Sequence, residues 1–189
     1  MALLLLLLLA LLALGRLMGS SVWPGAVFPV SVPRVTLPFG STRPPYRPGH
    51  PHRGVDLSPH PAAFGELIVS PWAGEVVLVD ESEAFGRFVL VRYEFPFPLG
   101  ASSLSDGVIT IEPGTPVWVF FAHMSMQTVR VGQAVNPGGV LGEIGDTGAA
   151  VGAHVHMEAR LGSAQGDVVN PLDMLIATVV GLRERVVFA

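Results

Sequence analysis

The chain has 189 residues, no cysteine, a formal net charge of -4 and only 14% charged residues. That length suits one domain able to bury its own core, and the missing thiols exclude disulfides, thiolate metal sites, cysteine nucleophiles and a lipid-modified cysteine anchor. The sparse, net negative charge argues against nucleic acid as a partner and provides no phosphate-binding patch.

The opening run, MALLLLLLLALLALG, is unbroken and apolar up to Arg16. It falls short of the roughly 20 residues of a comfortable bilayer crossing and fits the apolar region of a secretory signal. Residues 1–20 are therefore expected to direct export to the periplasm, cell envelope or exterior. They do so as a cleaved signal or, because no cation precedes the run, as an uncleaved anchor. Residues 21–35 read as a linker or edge strand, residues 36–175 as the single functional domain, and residues 176–189 as a C-terminal extension.

Pro38 to His52, PFGSTRPPYRPGHPH, is too rich in Pro and Gly for a helix and reads as a loop wrapping toward a site. In HRGVDLS (His52 to Ser58), Val55 and Leu57 alternate with Asp56, so a strand here points the carboxylate away from two core side chains. Leu67 to Val69, Gly74 to Val79 and Arg87 to Tyr93 follow as β-rich runs in the manner of a meander. Phe95 to Pro116 interrupts them for long enough to suggest a rim or lid, with its own short strand at Val108 to Ile111. Val117 to Ala122 is a strongly apolar strand ending at His123, and short strands with glycine turns recur over Thr128 to Val135 and Val140 to Ile144. Asn170 to Val180, NPLDMLIATVV, opens with a helix entry. With 22 Gly and 17 Pro spread along the chain, the pattern predicts an all-β single domain of antiparallel sheets with one short C-terminal helix.

The six histidines are His50, His52, His60, His123, His154 and His156. His154 and His156 lie in GDTGAAVGAHVHMEAR (Gly145 to Arg160), and side chains at i and i+2 of a strand share a face, about 6.6 Å apart along it. Both may serve one metal ion as ligands, or one may bind while the other handles a proton. His52 precedes Asp56 by four residues. A tetrahedral zinc with two imidazoles, one carboxylate and an open position for water is the catalytic pattern. The His-x-x-x-Asp spacing alone is weak and the His-x-His pair alone moderate evidence; their order, with His123 after an aromatic strand between them, is far more specific.

HRGVD (His52 to Asp56), FAHM (Phe121 to Met124) and GDTGAAVGAHVHMEAR closely resemble the lysostaphin-type zinc endopeptidases, which cut peptide cross-links of peptidoglycan. The resemblance spans roughly Val35 to Leu172, including PFG at Pro38 to Gly40 and VNPL at Val169 to Leu172. It implies the fold of that family, peptidoglycan peptides as substrate, and one zinc ion per chain held by His52, Asp56 and His156. His123 and His154 would then act beside the ion as general base or oxyanion stabiliser, their division of labour open. A regulatory protein partner is a further expectation.

Two departures stand out: the Phe95 to Pro116 excursion is longer than the family's usual turn, and FAHM replaces Tyr-Ala-His-Leu, removing a hydroxyl from the expected groove. His50 and His60 read as surface loop residues, Asp146 as a turn former, and Trp72, Trp118 and Phe120 as core or rim aromatics. Gly148 and Gly152 read as turn glycines, and Glu158 either as an orienting partner of His156 or as a rim carboxylate. A wall-associated scaffold or activator of another hydrolase, and a zinc hydrolase of a different amide, are the competing readings.

Overall fold

The computed structural model describes residues 25–59, 61, 64–105 and 107–180. The apolar leader and His60 lie outside the described residues.

Among the described residues twelve strands form one sheet system: β1 (Pro33–Leu37), β2 (Val55–Pro59), β3 (Leu67–Val69), β4 (Gly74–Ser82), β5 (Gly86–Glu94), β6 (Leu99–Ser103), β7 (Gly107–Ile111), β8 (Pro116–Gln127), β9 (Ala134–Val135), β10 (Val140–Ile144), β11 (Val155–Leu161) and β12 (Val168–Val169). The main path runs β7-β6-β12-β11-β8-β5-β4-β9, with β2 joining β11 and β1 joining β2. Every pairing is antiparallel. One short helix, α1 (Pro171–Leu175), follows, capped by the Asn170 side chain accepting from the Leu172 N–H, and continues as a wider turn through Val180. The all-β antiparallel class and the short C-terminal helix are thus both present.

Strand parity divides the sheet. On β8, Val117, Val119 and Phe121 are buried in the main core; on β11, Val155, Met157 and Ala159 do the same. Each large apolar side chain so removed from water contributes about 1.5–3 kcal/mol. The alternate positions, Phe120 and Ala122 on β8 with Phe88 and Leu90 on β5, form a second small cluster on the opposite face. His156, Glu158 and Arg160 of β11 alternate with the core residues and so share that opposite face. A single strand therefore packs the core with one edge of its pleat and presents chemistry with the other.

Phe121 is fully buried in the main core. The phenylalanine of FAHM therefore faces away from the groove, and the expected loss of a groove hydroxyl does not apply. Three other expectations are revised. β3 pairs with β10 rather than continuing a meander into β4, because its partner is chosen by a strand some seventy residues later. The run Thr128 to Val135 is mostly turn, with only Ala134–Val135 in a strand. Phe95 to Pro116 contains two strands: β6 and β7 pair as a hairpin, and β6 joins the sheet through Val169 opposite Ser103. The Ser102 N–H donates to Asp173 of α1 at 2.8 Å and its carbonyl accepts from the Asn170 N–H at 2.8 Å. The excursion is an anchored rim.

The packed unit includes Val30 near its start and Ala177 near its end, and Thr178 accepts a hydrogen bond from the buried Trp72 indole at 2.8 Å. Among the described residues no helix is long and apolar enough to cross a membrane.

Candidate metal centre and active site

Asp56 on β2 pairs with His156 on β11, which pairs in turn with Ala122 on β8. This register brings residues one hundred positions apart into one row. His52, just before β2, sends its ring to the same point. His52 Nε2 and His156 Nδ1 each stand close to Asp56 Oδ1, at 3.2 and 2.9 Å, and 2.9 Å from each other. Edges of about 3.3 Å are expected for a tetrahedron with bonds of about 2.0 Å, so the donor set has the chemistry and compactness for zinc. Among the described residues this is the cluster able to hold a metal ion.

The outer ring nitrogens fix the tautomers. His52 Nδ1 lies 3.1 Å from the Pro38 carbonyl, His123 Nδ1 2.8 Å from that of Thr147, and His154 Nδ1 2.9 Å from that of Gly152. A carbonyl can only accept, so each Nδ1 carries the proton and each Nε2 keeps its lone pair. His154 Nε2 stands 3.6 Å from Asp56 Oδ1, and the His123 ring centre is 4.9 Å from that of His154 and 5.8 Å from that of His156. All five sequence-predicted site residues therefore meet in one place. His50, by contrast, is exposed on the groove wall and outside the ligand cluster.

Burial pushes the Asp56 carboxyl up, but the hydrogen bond from His156 and the imidazoles of His52 and His154 crowded beside it outweigh that and hold the group well below the usual carboxylate range. Burial, only partly offset by the Thr147 carbonyl, pushes the His123 imidazole down to about 4, so it is neutral near pH 7. For His156, burial acts downward but the hydrogen bond to Asp56 and the Glu158 carboxylate beside the ring raise it on balance.

His123 occupies the left-handed region at φ 64°. Such a conformation costs a non-glycine residue roughly 1–3 kcal/mol and recurs at functional positions. It lies in a register shift between β5 and β8, where Arg87 pairs with Met124 and Val89 with Phe121, a bulge that re-aims the side chain. The His123 N–H donates to the Phe85 carbonyl at 2.8 Å, holding the bend.

Three supporting residues were not assigned from sequence. Thr147 holds the loop after β10 against the sheet: its hydroxyl donates to the Met124 carbonyl at 2.8 Å and accepts from the Arg87 N–H at 3.0 Å, while its carbonyl orients His123. Gly54 lies where a Cβ would fall 2.7 Å from His156 Cε1 and closer still to the Met157 carbonyl. Tyr46 places its ring 4.7 Å from that of His52. A glycine between the two halves of His-x-x-x-Asp was the one local clue. The alternatives for Glu158 are decided: it is only 3% exposed, its Oε2 lies 3.6 Å from His156 Nε2, and Arg160 holds its Oε1 at 2.6 Å. It orients His156 from behind.

In front of the cluster lies an open groove of about 960 Å³. His123, His156 and Phe85 line it, with Tyr46 and Arg53 on one wall and Leu104 and Ser105, at the tip of the β6–β7 hairpin, on another.

Residues 97–171 match the model of Peptidase family M23. The chain is 26% identical over 151 residues to the DD-carboxypeptidase/endopeptidase Mpg of Neisseria meningitidis, covering 79% of this chain and 29% of that protein. It spans less than a third of the length of the curated relatives it matches. Among solved structures, the catalytic domain of a mutant of the prophage-encoded M23 protein EnpA from Enterococcus faecalis is 27% identical, with a TM-score of 0.56 over 79% of this chain and 96% of that one. The catalytic domain of lysostaphin from Staphylococcus simulans shares the fold at a TM-score of 0.57, with 21% identity over 75% of this chain and 91% of that one. The family model covers two of the three motifs, FAHM and GDTGAAVGAHVHMEAR, with HRGVD lying before the matched residues, and the fold is shared with both catalytic domains.

Proposed function

We propose that this chain, which sides with the lysostaphin-type M23 metallopeptidases in motif, family match and fold, is an exported zinc endopeptidase that cuts peptide bonds in peptidoglycan cross-links. The observation that carries the reading is the meeting of His52, Asp56 and His156 at one point, with the bare Nε2 atoms of His123 and His154 beside it. His52, Asp56 and His156 would hold the zinc, which when bound supplies Lewis-acid polarisation of a carbonyl and acidifies water. Asp56 keeps its negative charge throughout the physiological range, because His156 and His52 hold its carboxyl low. His123 is neutral there and offers an accepting nitrogen for the proton of an attacking water, and the same nitrogen can return it to the leaving amine. His154 faces the same point with the same bare Nε2, so it can accept the water proton in place of His123 or, once it carries that proton, donate to charge developing on the substrate oxygen. The open groove suits an extended peptide rather than an enclosed small molecule.

The test is mass spectrometry of fragments from purified peptidoglycan incubated with the zinc-loaded full chain. New amino and carboxyl termini within the cross-links are expected, and their loss after chelation and return on adding zinc. Intact peptidoglycan, with zinc bound at one ion per chain, would leave the scaffold reading in its place.

Glu158→Gln keeps the shape of the side chain but removes the charge behind His156. Zinc affinity is expected to drop about 10- to 100-fold, measured by competition with a chromogenic chelator. An unchanged affinity would show that Glu158 serves only Arg53 and Arg160.

A further inference from the structure

The strand register extends the site beyond the ligand cluster. Two residues past Asp56 on the same face of β2 stands Ser58; Val155 pairs with Leu57, so His154 lies beside Ser58 on one side. On the other side Ser58 pairs with Arg34 of β1. Arg34 therefore sits two strand spacings, about 10 Å, across the sheet from His154. These residues close a second pocket, of about 280 Å³, lined by Arg34, Thr36, Ser58, Val151, Gly152 and His154. His154 belongs to it, while His123 and His156 line the larger groove, so both hollows open beside the histidine cluster.

The charge of this pocket is one-sided. No carboxylate lines it, and among the described residues none forms an ion pair with Arg34. The stretch from Arg34 to Arg53 carries Arg34, Arg43, Arg47 and Arg53 and no Asp or Glu, in a chain whose net charge is -4. The Thr36 and Ser58 hydroxyls donate to main-chain carbonyls and the bare Nε2 of His154 can only accept, which leaves the guanidinium as the charged donor of this lining. A guanidinium fork matches the two oxygens of a carboxylate.

We propose that this pocket is a carboxylate subsite, in which Arg34 pairs with a free carboxylate of the peptide whose scissile bond lies at the His52, Asp56 and His156 cluster. The inference rests on the hydrolase reading and deepens it: the preferred substrate is an anionic peptide rather than a neutral bridge. The carboxylate has two sources. It is the chain end of the residue following the scissile bond, which would add carboxypeptidase action, or a carboxylate branching from the stem on the acyl side.

Binding without turnover separates these cases from each other and from the hydrolase reading. Three uncleavable peptides with a CH2–NH link in place of the scissile amide are titrated calorimetrically into the full chain. They are diacetyl-Lys-D-Ala-D-Ala as free acid, its C-terminal amide, and the amide extended with a γ-linked D-Glu that carries a free α-carboxylate. One of the two carboxylate peptides is expected to bind about tenfold more tightly than the plain amide. Arg34→Gln should erase that difference while leaving the amide unchanged, and Arg34→Lys should restore part of it. Gain on the free acid identifies the chain end; gain on the D-Glu peptide identifies the stem branch. Arg34 is exposed on edge strand β1, so these variants leave the core untouched. Equal affinities for all three peptides, no binding by any, or a loss in Arg34→Gln that is the same for all three overturns the subsite. Failure of peptidoglycan cleavage alone leaves these titrations intact and strikes only the hydrolase reading.

Discussion

In His123→Ala, zinc is expected to stay at one ion per chain while cleavage of purified peptidoglycan falls by about 10²- to 10⁴-fold. The reason is positional. His123 lies within the histidine cluster, yet its Nδ1 is committed to the Thr147 carbonyl and its ring is not among the three converging ligand atoms. Deleting it removes a proton acceptor and leaves the donor set whole. His156→Ala makes the contrast, since it removes a ligand atom 2.9 Å from both Asp56 and His52; zinc and cleavage should be lost together. The two variants need the same pair of measurements, metal content by mass spectrometry and fragment release. Wild-type cleavage by His123→Ala would move the proton-transfer role to His154. Loss of zinc in the same variant would instead make His123 a ligand.

Gly54→Ala is expected to abolish high-affinity zinc binding and to destabilise the fold by about 1–3 kcal/mol, the usual cost of overpacking a filled site. Nothing about φ makes Gly54 special. What forbids a side chain is the approach of β11: the added methyl would meet His156 Cε1 at 2.7 Å, Nε2 at 2.8 Å and the Met157 carbonyl closer still. β11 cannot retreat, because β8 pairs with it from His156 to Leu161 on one side while β2 holds the other. The imidazole must therefore swing out of the cluster or β2 must part from β11. Thermal melting and a zinc titration read the two consequences. A variant with wild-type zinc affinity would mean that the gap between β2 and β11 is soft.

The candidate residues were legible because their signals are local. Alternation of Val55, Asp56 and Leu57 sends the carboxylate away from the core, and the two-residue spacing of His154 and His156 puts both on one face; each follows from strand pleat alone. Other expectations failed where a distant partner decides. Leu67 to Val69 looks like the start of a meander, yet it pairs with β10. Leu99 to Ser103 escaped notice because its Gly and Ser content carries little strand preference, and its pairing with β7 and β12 makes it a strand. Phe121 passed for a groove residue until strand parity on β8 placed it in the core.

Composition and spacing by themselves determined an all-β chain without thiol chemistry, with imidazoles and a carboxylate as its metal-binding candidates. Periodicity needs only neighbours along the chain to be read. The tertiary structure alone decided that Asp56 and His156 share a row, that Thr147 and Glu158 hold the rings from behind, that Gly54 must lack a side chain, and that Arg34 opens onto a second hollow. Each of these depends on which strand lies alongside and in what register, and a shift of one residue would send every one of these side chains to the other face of the sheet.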